Sequence, residues 1–422
     1  MAGQAVTANS HAGAMQPGGV SAAGWIHSPG WDKRWLIFPA LLAPVPILVF
    51  YLSQWLLARF SGADAEARMG MSEDVTSLFV MLLAGGPHVW VTYTRTYLNP
   101  DFRKREKLWF LSSLFVVPFV ATMALSSEFT RRLLMTGFFF LASLHLIHQL
   151  SYIVRFYHDR DAARPSIKSR LIDVAAVLFP LYPVSSFRMV MGNQNSLAWA
   201  WASQWFGAEK AQSLQFHIGR AQPMLPDFIL SDWFWMANLA GLVVCTSLWA
   251  AKCVREYRAG QLQQAKFLLI CCAIGVGLFA PMWPNLDSSF QGFNLWHSIQ
   301  YIALTWYITR VQVQKGNRIN PLVKWLAKDE RSGARYYAVA LGIVIFLIGV
   351  IMALAAGITV VRDVGMFAGS GTPGTELYKP GAVLQAYYLF GFGLLLTHYF
   401  HDAFFFNLHT FKSSTANTRP LP

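Results

Sequence analysis

The chain has 422 residues, of which 55% are hydrophobic and only 13% are charged, and its mean hydropathy is +0.37. Soluble globular domains carry about 25% charged residues, so this composition excludes an ordinary water-soluble domain and predicts an all-α, polytopic integral membrane bundle. The net charge of +13 does not indicate a nucleic-acid partner, because no lysine- and arginine-rich stripe interleaves with aromatic residues on a polar domain. The expected partners are membrane lipids and a lipophilic small molecule.

Ten apolar segments predict membrane-spanning helices, because a helix needs about 20 apolar residues to cross the hydrocarbon core. They are Trp35–Leu57, Asp74–Thr96, Lys107–Ser126, Arg131–Phe156, Arg170–Met191, Phe228–Cys253, Ala265–Trp283, Phe290–Arg310, Tyr336–Val361 and Val383–Phe411. They form one predicted transmembrane domain over residues 32–411. Residues 1–31, rich in Gly, Ala and Ser, predict a disordered tail rather than a signal peptide, and residues 412–422 predict a C-terminal tail.

Basic residues follow every second predicted span, as the positive-inside rule requires of cytoplasmic loops. The strongest case is the loop 314–335, which contains six lysines and arginines as well as a short predicted helix, Pro321–Lys328. This alternation predicts that both termini are cytoplasmic in a multi-pass protein of the plasma membrane. The long segment 192–227 then lies on the outer side, where its tryptophans would sit at the membrane interface.

Six histidines fall within predicted spans two, four, eight and ten, which all run from the outside to the cytoplasm. They are His88, His145, His148, His297, His398 and His401. Each lies roughly 8–15 residues from the cytoplasmic end of its span, or about 12–22 Å at 1.5 Å per residue. Four parallel helices would therefore present their histidines at one level of the membrane.

Two of these spans carry a histidine pair at i, i+3, a spacing that places both side chains on one helix face. Imidazole is a common ligand of iron, copper and zinc, and Asp402 could either bind a metal or hold a ligating imidazole by its second nitrogen. A proton or substrate pathway without metal is the alternative. A single histidine could also be a packing residue bonded to a nearby hydroxyl such as Thr92. Six polar groups at one depth favour a functional site, because polar groups are costly inside a membrane.

The residues around these histidines resemble the Brp/Blh-type membrane carotenoid dioxygenases. Four short blocks carry the resemblance, in the family's order: Gly86-Pro87-His88, Leu144–His148, Trp296-His297-Ser298 and His398–Asp402. The resemblance implies a non-haem iron bound by histidines from several helices, which uses O₂ to cleave β-carotene symmetrically to retinal.

The chain also departs from the family pattern. Tyr301 stands where the third block of the family has a second histidine, and Val89–Thr92 replaces the Gly-Ala-Leu-Asp that follows the first block. The chain is longer than the family pattern, with an extra outer-side loop. These departures leave two interpretations open: a distant relative with a changed substrate, and the carotenoid enzyme itself.

The leading prediction is a membrane-embedded iron oxygenase acting on an isoprenoid or carotenoid-like substrate. In it, His88, His148, His297 and His401 bind Fe²⁺, His145 and His398 are alternative ligands or supports, Asp402 orients an imidazole, and Tyr301 borders the open coordination position. Copper and haem b are alternative cofactors, whereas c-type haem is excluded by the lack of a Cys-x-x-Cys-His motif. Two other functions stay open: a transporter or proton-coupled carrier with a histidine relay, and a haem-binding or accessory subunit of a membrane complex.

Overall fold

The computed structural model describes residues 20–21, 24–161, 165–181, 228, 231–279, 286–316, 319–363 and 382–405. Over these ranges the chain is helical, as its apolar segments predict. The one strand pairing among the described residues is parallel and two residues long, between β1 (Val20–Ser21) and β2 (Leu262–Gln263). The predicted outer loop 192–227 and the predicted tail 412–422 lie outside the described residues.

The α-helices follow in chain order. They are α1 (Pro29–Asp32), α2 (Val45–Phe60), α3 (Ala65–Val80), α4 (Gly86–Arg95), α5 (Pro100–Arg105), α6 (Lys107–Ser113), α7 (Val116–Ser126), α8 (Glu128–Asp159), α9 (Ile167–Phe179), α10 (Asp232–Arg258), α11 (Gln264–Phe279), α12 (Leu286–Gln314), α13 (Pro321–Leu326), α14 (Ser332–Asp363), α15 (Ala382–Ala386) and α16 (Phe392–Phe405). Wider π-helical turns occupy Lys33–Ile37, Met81–Gly85 and Tyr387–Gly391, and a 3₁₀ segment spans Phe38–Leu42.

Six of the described helical segments are long and apolar enough to cross a membrane. They are Pro29–Phe60, Ala67–Arg95, Lys107–Ser126, Phe129–Asp159, Met236–Arg258 and Ser332–Val360. Helix α12 is 29 residues long but is not one of the six. Its sequence is too polar because it carries buried Ser298, Gln300 and His297, which face the interior of the bundle. The sequence-based count of ten spans stays a prediction.

The core is organised around α12, which packs against α2, α3, α4 and the segment that precedes α2. Trp296, Tyr301 and Leu304 of α12 are buried in one apolar cluster with Ile153 of α8 and Leu269 of α11. In contrast, only 17% of the most apolar stretch of α14 is buried. The bundle therefore surrounds a polar-bearing central helix with helices that keep an apolar outer face, as expected where the outside is lipid.

Residues 24–31 correct the prediction that the N-terminal tail extends to residue 31. Ile26 is buried, and the buried Asp32 carboxylate accepts hydrogen bonds from the backbone N–H groups of Ile26 (2.7 Å) and His27 (3.0 Å). Tyr157 also donates to Asp32, and Tyr307 donates to the Ile26 carbonyl. The composition is that of a tail, but Asp32 and Tyr307 of α12 satisfy backbone groups of the segment, and Tyr157 of α8 holds the Asp32 carboxylate against the bundle.

A buried ion cluster joins α8, α9, α10 and α11. The Asp173 carboxylate lies 2.6 Å from Lys252 Nζ, 2.8 Å from His158 Nε2 and 3.2 Å from Lys266 Nζ, and Lys252 also pairs with Glu256 at 3.1 Å. Lys266, at the start of the predicted span Ala265–Trp283, is buried. Its opposite charges come from other helices, which local sequence does not indicate.

Candidate metal centre

Four histidines from four helices meet inside the bundle. His88 comes from α4, and a π-helical turn, Met81–Gly85, precedes it. Pro87 has no N–H to donate to that turn, and the carbonyl of Leu83 instead accepts a hydrogen bond from Tyr337 Oη at 2.7 Å. Gly86 lets α14 approach, because a Cβ at this position would lie 2.6 Å from Val344 Cγ1. Local backbone irregularity thus sets the position of His88.

The Nε2 atoms of the four imidazoles converge. His398 Nε2 lies 2.6 Å from His88 Nε2 and 3.2 Å from His145 Nε2, and His145 Nε2 lies 2.8 Å from His297 Nε2. All four side chains are buried. Two nitrogens bound to one metal ion at about 2.1 Å are separated by roughly 3.0–3.4 Å. The 3.2 Å separation lies in this range. The 2.6 and 2.8 Å separations are shorter, so a shared ion would move those rings apart by about 0.2–0.4 Å.

Hydrogen bonds alone cannot satisfy this arrangement. Each Nε2 offers one in-plane site, which is either a proton or a lone pair. His145 Nε2 and His398 Nε2 each face two other ring nitrogens, so each has one partner too many. A single cation at the meeting point would accept several lone pairs at once, and the arrangement therefore fits a metal ion better than a hydrogen-bonded packing cluster.

A carboxylate completes the group. His88, His145, His398 and Asp402 each offer one ligand atom, and these four atoms all lie within 4.8 Å of one another. Asp402 Oδ2 is 3.7 Å from His398 Nε2 and 3.8 Å from His145 Nδ1, and it has no hydrogen-bond partner in the described part of the chain. A buried carboxylate oxygen left without a donor is costly, and a bound cation would compensate it.

Tyr301 and Thr92 lie directly behind the ligand group. The Tyr301 ring stacks on His88, with centroids 4.3 Å apart and planes 22° apart. Its hydroxyl donates to Asp402 Oδ1 at 2.6 Å and contacts Thr92 Oγ1 at 2.7 Å, and Thr92 Oγ1 in turn lies 2.7 Å from His398 Nδ1. Tyr301 thus contacts both the imidazole of His88 and the carboxylate of Asp402.

Two glutamines anchor the helices that carry His145 and His297. Gln149 Nε2 donates to the His297 carbonyl at 3.0 Å and to Gln300 Oε1 at 3.3 Å, and Gln300 donates to the carbonyl of Leu36. The sequence analysis does not single out these residues. Their signal is present in the sequence, since each is an amide within a predicted span and lies one helical turn beyond a histidine.

Within each i, i+3 pair, the structure brings one histidine to the cluster and places the other outside it. His145 and His398 are in the ligand group, whereas His148 is exposed. His401 is buried against the rings of Tyr97 and Phe102, and neither of its ring nitrogens has a hydrogen-bond partner among the described residues. His145 and His398 are therefore the candidate ligands of the two pairs, and the predicted ligands His148 and His401 are not part of the cluster. The reason is that three residues fall about 60° short of a full helical turn.

The predicted role of Asp402 also changes. Its carboxylate is not within hydrogen-bonding distance of an imidazole nitrogen, the nearest being 3.7 Å away, so it does not orient a ring in the way the sequence predicts. Asp402 stands beside the ring nitrogens as a candidate ligand.

This chain matches no protein-family model, no curated protein and no solved structure.

Proposed function

We propose that the protein is a membrane-embedded, metal-dependent oxidoreductase. His88, His145, His398 and Asp402 would hold the metal, with His297 as a fourth imidazole against His145. The observation that carries the proposal is the convergence of four buried Nε2 atoms at 2.6–3.2 Å beside an unpartnered carboxylate oxygen. Buried polar groups at this density are costly unless they serve a site.

Iron is the proposed metal, and copper is the alternative. Imidazole suits iron, copper and zinc, and a mixed set of histidines with one carboxylate is characteristic of non-haem Fe(II) oxygenases. Bound iron would supply O₂ activation. A haem with two histidine ligands would need Nε2 atoms about 4 Å apart, twice a metal–nitrogen bond of about 2 Å, and room for the macrocycle. The short Nε2–Nε2 distances therefore argue against haem b.

The proposed substrate is an isoprenoid or carotenoid-like molecule. The resemblance of four short blocks to the Brp/Blh-type dioxygenases supports this class, as does the aromatic lining beside the ligands. The Tyr399 ring stacks on His145 with centroids 4.6 Å apart, and Phe138 stacks on Tyr399. In the proposed reaction, the helices would exclude water and the aromatic rings would hold an apolar chain.

The proposed setting is the plasma membrane, with ten spans and both termini cytoplasmic. The alternation of basic and neutral loops along the sequence supports this topology. A substrate dissolved in the bilayer would then reach the bundle from the lipid side. The exposed apolar side chains of the candidate spans suit that environment.

A proton-coupled carrier is the second candidate function. The buried cluster of Asp173, Lys252, Lys266 and His158 favours it, because charged pairs within membrane helices mark many ion and proton pathways. In that case the imidazoles around His145 would form a relay, and the protein would carry no stoichiometric metal.

The deciding experiment is metal analysis of the full-length protein purified in mild detergent, with an absorption spectrum of the same sample. We expect close to one iron per chain and no Soret band, with loss of the metal in His88→Ala and His297→Ala. Oxygen-dependent conversion of carotenoids would then be assayed. A Soret band would establish haem instead, and a lack of metal even after reconstitution with Fe²⁺ would overturn the proposal in favour of the carrier.

A further inference from the structure

A chain of hydroxyl groups connects two of the candidate ligands behind the cluster. His398 Nδ1 lies 2.7 Å from Thr92 Oγ1, Thr92 Oγ1 lies 2.7 Å from Tyr301 Oη, and Tyr301 Oη lies 2.6 Å from Asp402 Oδ1. All four side chains are fully buried. These three hydrogen bonds, here called the hydroxyl relay, form one continuous path from an imidazole to a carboxylate.

Counting protons gives the relay one direction. Tyr301 Oη donates its single proton to Asp402 Oδ1. Tyr301 Oη must then accept from Thr92, which leaves Thr92 Oγ1 to accept from His398 Nδ1. His398 therefore carries its proton on Nδ1, and its Nε2 presents a lone pair towards His88 and His145.

We propose that Thr92 and Tyr301 are positioning residues that prepare two metal donors at once. The relay sets the tautomer in which His398 Nε2 is a ligand, and it holds Asp402 by Oδ1 so that Oδ2 stays beside the ring nitrogens. This inference rests on the proposed metal site and adds residues that do not themselves bind the ion. Because the donors are oriented before the metal arrives, less ordering is needed on binding.

Helices α4 and α14 contain a matched pair of hydroxyl residues away from the cluster. Thr94 of α4 is buried, donates to the Val91 carbonyl at 2.6 Å and lies 3.1 Å from the hydroxyl of buried Tyr336. This pair has the same residue types and burial as Thr92 and Tyr301, but it contacts neither a candidate ligand histidine nor Asp402 in the hydrogen bonds that it makes. Thr94→Val and Tyr336→Phe therefore control for the loss of a buried hydroxyl.

The test is a titration of the metal-free full-length protein with Co²⁺, measuring affinity by competition with a chelator and recording the cobalt absorption bands. We expect Thr92→Val and Tyr301→Phe each to weaken Co²⁺ binding by roughly 10–100-fold and to shift the bands. Thr92→Ser should restore binding, because it keeps the hydroxyl. The double variant should bind Co²⁺ only slightly less tightly than the single variant that binds it more weakly, because both substitutions break the same path.

A second measurement does not depend on the metal. The ¹⁵N imidazole shifts of histidine-labelled, metal-free protein report the tautomer of each ring, and the His398 signal is identified by its loss in His398→Gln. We expect the Nδ1–H form in the unaltered protein and a change of tautomer in Thr92→Val. An Nε2–H form in the unaltered protein would overturn the relay even if a variant failed to fold.

The outcomes separate the relay from the proposed function. If the unaltered protein does not bind Co²⁺ or iron, the metal site is overturned and the relay with it. If the unaltered protein binds Co²⁺ and Thr92→Val and Tyr301→Phe match Thr94→Val and Tyr336→Phe, only the relay is overturned.

Discussion

The helix face on which a histidine lies decides whether its ring meets the cluster. His145 and His148 are separated by three residues of α8, yet His145 is buried against three other imidazoles and His148 is exposed. On α16, His398 likewise joins the cluster, whereas His401 is buried outside it against the rings of Tyr97 and Phe102. Side-chain direction therefore decides whether an imidazole reaches the cluster, and a difference of about 60° around the helix axis is enough to change it.

Replacing His145 tests this assignment, with His148 as its matched control. We expect His145→Ala to weaken metal binding by more than the roughly 10–100-fold that a change behind a ligand costs, because it removes a donor atom. His148→Ala should leave the affinity within a few-fold of the unaltered protein. Equal losses in the two variants, measured by competition with a chelator, would contradict the ligand set.

Close contact between helices fixes the element that carries His398 and Asp402. At Gly393 of α16, a Cβ would lie 2.9 Å from Val117 Cα of α7, which is backbone and cannot move aside alone. Glycine at this point lets the two helices touch, as small residues commonly do in membrane bundles. The positions of these candidate ligands therefore depend on a residue that lies about one and a half turns from His398 and about two and a half turns from Asp402.

Gly393→Ala should destabilise the protein by about 1–3 kcal/mol, the usual cost of overpacking, and displace α16. Gly137→Ala on α8 is the control, because a Cβ there meets nothing within 4 Å. Thermal unfolding in detergent should give a lower midpoint for Gly393→Ala alone. An unchanged midpoint would mean that α7 and α16 are not in close contact.

The buried ion cluster also holds helices together, because the single carboxylate of Asp173 connects α8, α9, α10 and α11. Asp173→Asn should destabilise the protein by about 3–5 kcal/mol, because it leaves Lys252 and Lys266 buried without their shared partner. Glu330→Ala should cost at most about 1 kcal/mol, since Glu330 is 76% exposed in its pair with Arg310. Comparable midpoints of thermal unfolding in the two variants would contradict a structural role for the cluster.

Across the whole molecule, a bound metal would connect α4, α8, α12 and α16 at one point. A ligand that binds only the folded state stabilises it, by about 2.7 kcal/mol when its free concentration is 100 times the dissociation constant. The centre would then be a cross-link as well as a reaction site.

Removing the metal should therefore lower the thermal midpoint of the unaltered protein, and adding Fe²⁺ back should restore it. His145→Ala should already have the lower midpoint and should not respond to the chelator. A midpoint that is the same before and after chelation, in a sample shown to have lost its metal, would contradict the cross-link.

The sequence by itself determined the class of the protein, because hydropathy and the shortage of charge act over whole segments and do not depend on which segments touch. It also placed histidines on the four helices that meet, since polar residues inside apolar helices stand out along the chain. Tertiary structure alone decided which member of each histidine pair joins the cluster and that Asp402 lies beside the ring nitrogens. It alone brought Thr92, Tyr301 and Asp402 into one path, and gathered Lys252, Lys266 and Asp173. The physical reason is that helix rotation and helix pairing depend on contacts between residues far apart in sequence, such as Gly393 with Val117.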